Sequence, residues 1–210
     1  MKKKLFSLVL ALLMVVSLIP AAAAAEGEGA QEPVVNPFTD VSQTDFFFDS
    51  VLWAVENGIT AGTGNGKFSP NEFCTRAQVV TFLWRAAGCP EPAATESPFT
   101  DVTPADYFCK AVLWAMEQGI TAGTGNGRFS PEERCTRAQV VTFLYRSMGS
   151  PAPASQENPF RDVASAEYYF NAVLWAVEVG VTKGTSGNTF SPTAACSRAQ
   201  VVTFLYRMLK

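Results

Sequence analysis

The amino-acid sequence predicts an all-α fold in which three helix-loop-helix repeats share a central three-helix bundle, and three observations lead there. First, the text repeats every 61 positions: Phe38-Thr39-Asp40-Val41 returns as Phe99-Thr100-Asp101-Val102 and as Phe160-Arg161-Asp162-Val163, and segments 38–88 and 99–149 agree at 36 of 51 positions. A fixed register of this kind marks copies of one unit that bury a common core. Second, each repeat opens with apolar residues at helical spacing, Phe47, Val51, Ala54 and Val55 in the first copy, which is the stripe of an amphipathic helix. Third, each repeat closes with a helix that is apolar around most of its circumference, and such a helix must be covered from several sides. A repeat of about 50 residues buries too little surface to stand alone, so the three last helices are expected at the centre with the first helices and loops outside.

In chain order, residues 1–25 read as an export signal. Lys2, Lys3 and Lys4 precede an apolar or small stretch from Leu5 to Ile19, and Ala21 to Ala25 supply small residues for cleavage after Ala25. The stretch is shorter than the roughly 20 residues that cross a bilayer, so the expectation is a soluble, exported chain with no membrane span after cleavage. The signal carries away three lysines and no acid, moving the formal charge from −3 to −6. That balance argues against nucleic acid, which favours a basic face. Residues 26–37 form a lead-in.

The repeats proper are 38–88, 99–149 and 160–210, joined by stretches rich in Pro, Ala, Ser and Glu that suit exposed connectors. The first helices are expected at 46–57, 107–118 and 168–179, with Gly58 in the usual place after a helix end. Helices this short need tertiary packing. Each second helix starts at a capping box, Thr75 with Gln78, Thr136 with Gln139 and Ser197 with Gln200. In that motif hydroxyl and amide side chains exchange hydrogen bonds with each other's backbone. Arg85, Arg146 and Arg207 fall near the ends of these helices, where a cation offsets the helix dipole.

Composition removes several chemistries. The chain has no histidine, which excludes Ser-His-Asp and Cys-His catalysis and the common zinc sites. The loop Gly62-Thr63-Gly64-Asn65-Gly66-Lys67-Phe68-Ser69-Pro70 lacks the spacing of a phosphate-binding loop, follows a helix rather than a strand, and has no lysine in its third copy. It also lacks the carboxylates of an EF-hand. No metal and no cofactor is therefore expected. Three like acids 61 residues apart do not resemble the unlike pair of a glycosidase, and no enzyme activity is expected. Of five cysteines, Cys74, Cys135 and Cys196 recur two residues before an arginine and read as small buried hydrophobes. Cys89 and Cys109 have no counterparts, and their spacing leaves pairing open.

Four recurring positions carry chemistry. Arg76, Arg137 and Arg198 stand in the first turn of the second helix, where dipole compensation gives a cation no reason to be. With the free amides of the helix start they make a cationic pocket for a carboxylate or phosphate; the alternative is an internal salt bridge to the acid of the opening motif. Asp40, Asp101 and Asp162 either fix a loop or hold a ligand's hydroxyls and orient the arginine. Trp53, Trp114 and Trp175 are either core or an amphipathic wall for a sugar ring, with the indole N–H as donor. Gly62, Gly123 and Gly184 either serve a turn or let a ligand approach the backbone.

The combination of F-x-D-V, a helix ending in Gly-Ile-Thr, the G-T-x-x-x-x-F-S-P loop and T-R-A-Q resembles the S-layer homology repeat of bacterial surface proteins, over residues 38–210. The resemblance implies one pseudo-threefold module that binds a secondary cell-wall polysaccharide bearing pyruvate ketals, at the cell wall or S-layer of the cell surface. It also implies that the arginines contact the anion, with the aspartates at Asp40, Asp101 and Asp162. The family's final Glu is Gln78, Gln139 and Gln200 here, so a role needing charge is lost at those positions. Other surface proteins as partners, or an accessory role to a wall hydrolase, are the alternatives.

Overall fold

The computed structural model describes residues 35–210; the expected export signal and most of the expected lead-in lie outside the described residues. Among the described residues are six helices and no strand: α1 (Phe48–Glu56), α2 (Arg76–Ala86), α3 (Cys109–Glu117), α4 (Arg137–Ser147), α5 (Phe170–Glu178) and α6 (Arg198–Leu209). The second helices α2, α4 and α6 touch one another along the centre of the fold. Their buried faces carry Ala77, Val79, Val80, Phe82 and Leu83 and the equivalents in α4 and α6. All three capping boxes form as the spacing requires, and the buried threonine of each helix is satisfied locally, Thr81 donating to the carbonyl of Ala77 at 2.7 Å and Thr142 and Thr203 doing the same in α4 and α6.

The first helices begin two residues later than expected. In repeat one the Asp45 carboxylate accepts the amide of Ser42 at 2.8 Å while its carbonyl accepts that of Phe48 at 3.0 Å, so the chain turns before it coils. The turn buries Phe47 and leaves Phe46 in solvent, 70% exposed. Tyr107 and Tyr168 are left out in the same way, 64% and 62% exposed.

Each first helix packs on the second helix of the repeat before it: α3 on α2, α5 on α4 and, closing the ring, α1 on α6. A ring of main-chain bonds marks the axis: Cys74 N–H donates to Cys196 O at 3.0 Å, Cys135 N–H to Cys74 O at 2.9 Å, and Cys196 N–H to Cys135 O at 3.0 Å. The three cysteines are fully buried and unbridged, matching their reading as small hydrophobes, and the repeat brings them together around the axis. Burial pushes the thiols of Cys74 and Cys196 up to about 12 and raises that of Cys135 as well. Cys89 and Cys109 are also free, the first exposed and the second buried.

Candidate functional site

The arginines of the second helices are buried, only 2–3% exposed, and each reaches into the loop of the next repeat. Arg76 Nε donates to Phe129 O, Arg137 Nε to Phe190 O and Arg198 Nε to Phe68 O, all at 2.9 Å. The guanidinium of Arg76 lies between two rings, 4.9 Å from the centroid of Phe129 and 5.3 Å from that of Phe143, a stacking that suits its flat, delocalised cation. Burial pulls the pKa of Arg76 and Arg137 below the ordinary arginine value.

Two parts of the expected arginine pocket are corrected. The helix-start amides are already used: Arg76 N–H donates to Glu133 O at 2.9 Å and Ala77 N–H to Pro131 O at 3.0 Å, with equivalent bonds at α4 and α6. The next repeat thus caps each helix start, and no free amide remains there for an anion. Nor does a salt bridge join these arginines to the aspartates, because the guanidinium satisfies a main-chain carbonyl instead. The ion pairs among the described residues are Lys110–Glu91 and Arg128–Asp101.

Asp40, Asp101 and Asp162 clamp the glycine-rich loops. Asp40 accepts from the amides of Phe68 and Ser69 at 2.8 and 2.9 Å, and Asp101 and Asp162 do the same one and two repeats on. Burial opposes ionisation of Asp40, but the two amide donors and the charge of Lys67 outweigh it and hold the carboxyl below 3.8. Gly62 sits at φ +86°, and a Cβ there would meet the Phe38 ring at 2.5 Å and, still closer, the carbonyl of Lys67. The glycine is required by the packing of its own loop.

Between neighbouring repeats these parts form grooves, each drawing on all three copies. The third groove, a cavity of about 890 Å³, is lined by Arg137 of repeat two, by the loop of repeat three from Thr182 to Thr185, by Arg207 on α6, and by Phe46 of repeat one. The second, about 700 Å³, combines Arg76, the loop from Thr121 to Asn126, Arg146 and Tyr168. In the first, Arg198 Nη2 lies 3.5 Å from Thr60 Oγ1, Arg85 donates to Ile59 O at 3.1 Å, and the exposed Tyr107 is the counterpart of Phe46 and Tyr168. Arg76 Nη2 is buried with no partner among the described residues.

Of the expected site residues, the arginines, Gly123 and Gly184 therefore reach the grooves, and the aspartates support the loops from beneath. The tryptophans do not line the two cavities. Trp53, Trp114 and Trp175 are 5–8% exposed between first and second helices, Trp53 meeting Tyr206 edge-to-face at 5.5 Å and Trp175 lying tilted against Tyr145 at 5.7 Å. An indole facing the bundle is covered by a neighbouring helix and cannot serve a sugar as a wall. The exposed aromatics Phe46, Tyr107 and Tyr168 and the helix-end arginines Arg85, Arg146 and Arg207 hold the groove positions that sequence reasoning missed. Their signal was recurrence at 61 residues without a core role.

The chain matches the S-layer homology domain family model three times, at residues 37–80, 98–141 and 159–202, together more than half its length. It is 28% identical over 204 residues to an endoglucanase of Bacillus sp. (strain KSM-635), covering 94% of this chain and 21% of that one. An S-layer protein of Bacillus thuringiensis subsp. finitimus is 23% identical over 84% of this chain and 22% of its own length. A cellulosome-anchoring protein of Acetivibrio thermocellus is 26% identical over 71% and 35%. The chain thus spans between about a fifth and a third of the length of these curated relatives.

Proposed function

The chain belongs to the S-layer homology family, and from that membership we propose a noncatalytic cell-surface anchoring module whose grooves grip an anionic, pyruvylated secondary cell-wall polysaccharide. One observation carries the reading: each of the two cavities sets a buried arginine, a glycine loop and a helix-end arginine against an exposed aromatic from a third repeat. The arginine supplies fixed charge in a place sheltered from water, where a hydrogen bond to a carboxylate is strong. The unpaired Nη2 of Arg76 gains a partner when such a group enters, and a buried donor left unmet costs about 1–3 kcal/mol. The aromatic offers a flat apolar face to a sugar ring. The relatives named for enzymes are larger proteins that share only this region with the chain, which supports a module of attachment rather than of chemistry. Three weak sites on one body raise retention on a polymer well above that of one.

The test is binding of the purified chain to wall polysaccharide before and after chemical removal of pyruvate. Strong binding lost with the acid group supports the reading, and equal binding to both preparations overturns the charge assignment. Because the arginines are buried in the fold, the site is better probed at its surface. A triple variant Phe46→Ser, Tyr107→Ser, Tyr168→Ser should melt like the parent and bind poorly; unimpaired binding by that folded variant would remove the grooves from consideration.

A further inference from the structure

The three grooves are built alike but charged differently. At the position before the loop glycine the first two repeats have Ala61 and Ala122, both exposed, and the third has Lys183. Where Arg76 N–H and Arg198 N–H bond the backbone of Glu133 and Glu72, Arg137 N–H bonds that of Ala194. Glu133 lines the second groove, where Arg128 is also partly neutralised by Asp101 at 3.4 Å. Among the described residues the third groove is lined by Arg137, Lys183, Arg207 and Lys210 and by no acidic side chain, and it is the larger of the two cavities. Its wall is Phe46 where the others have a tyrosine.

We infer that the third groove is the first to fill, with Lys183 as the residue that sets the order among the three. The inference rests on the anionic-glycan reading above and deepens it. A cation in a cleft already carrying like charge raises the local potential toward an acid, and no acidic side chain in its lining competes for it. Lys183, which stands where the first two repeats have alanine, is in the folded molecule the feature that makes this groove the most anion-selective. The other two grooves take ligand at higher concentration and add retention on a polymer.

The amides of Gly62, Gly123 and Gly184 report the three loops separately in a nuclear magnetic resonance titration of the full chain. The probe is the methyl glycoside of a hexose bearing one pyruvate ketal. At low salt Gly184 should reach half-shift first. Lys183→Ala should raise its midpoint about threefold to tenfold, as expected for an exposed ionic contact strengthened by its neighbours, and leave Gly62 and Gly123 where they were. Ala122→Lys, at an exposed position that tolerates a long side chain, should bring the Gly123 midpoint down toward that of Gly184. A common midpoint for all three amides, or an order unchanged by Lys183→Ala, overturns the inference and leaves the groove reading standing. No shift at any of them overturns both.

Discussion

Replacing Gly62 by alanine separates two explanations of the glycine loop. At φ +86° an added Cβ would sit 2.5 Å from the Phe38 ring and nearer still to the carbonyl of Lys67, neither of which is the free end of a flexible side chain. Gly64, two residues on, has φ +100°, and a Cβ added there would meet nothing within 4 Å. Both substitutions meet the left-handed backbone penalty of about 1–2 kcal/mol. Only Gly62→Ala also overpacks a closed contact, which adds about 1–3 kcal/mol. The totals are about 2–5 kcal/mol at Gly62 and about 1–2 at Gly64. With a urea slope of about 2 kcal/mol/M, the midpoint should fall by about 1–2.5 M for the first and by about 0.5–1 M for the second. Circular dichroism against urea measures both. Equal shifts would refute the steric argument. A Gly62→Ala protein as stable as Gly64→Ala but deficient in glycan binding would return the glycine to a ligand role.

Three further outcomes follow from the geometry. Arg76→Ala leaves Phe129 O without its donor and opens space between two rings, which should cost about 2–4 kcal/mol. At about 2–4 °C per kcal/mol for a chain of this size, that lowers Tm by about 5–15 °C; a change under about 2 °C would contradict the assignment. The aspartate clamps have pKa values below 3.8 in the fold, so their stabilisation is complete above that value and is lost as pH falls through the lowered folded values. Tm should therefore drop below about pH 4, and the triple variant Asp40→Asn, Asp101→Asn, Asp162→Asn should begin lower and drop less steeply. Finally, a thiol reagent should find Cys89 promptly in the native protein and all five cysteines only after unfolding, since Cys74, Cys135 and Cys196 are buried with raised pKa. Prompt reaction at Cys135 would mean that the axis opens.

The elements that depend on local chemistry were legible in the sequence. Thr75 with Gln78 placed the start of α2, and the apolar circumference of that helix placed it at the centre. What a strict period cannot encode is partner choice. Arg76 stands equally well in the text beside Phe68 of its own repeat and Phe129 of the next, because both offer the same residue in the same surroundings; only closure in three dimensions selects Phe129. The same choice occupied the helix-start amides with carbonyls of the neighbouring loop. The stripe of Phe47, Val51, Ala54 and Val55 read true at its first position, where Phe47 is buried. The start of the helix did not, because the turn at Asp45 keeps Phe46 out of it and in solvent.

The contact of α1 with α6, and the bond from Arg198 to Phe68 across 130 residues, give this ring no terminal unit. An open solenoid can grow by a repeat and needs special caps at its ends. Here every repeat caps another, so the number three is built into the geometry and each copy can diverge in its groove without weakening an end. The same closure delays folding. The first helix has no covering surface until the last repeat exists, and contacts so distant in sequence form slowly. A chain carrying only two of the repeats should be recognised by proteases as unfinished, however complete each repeat looks in its own text.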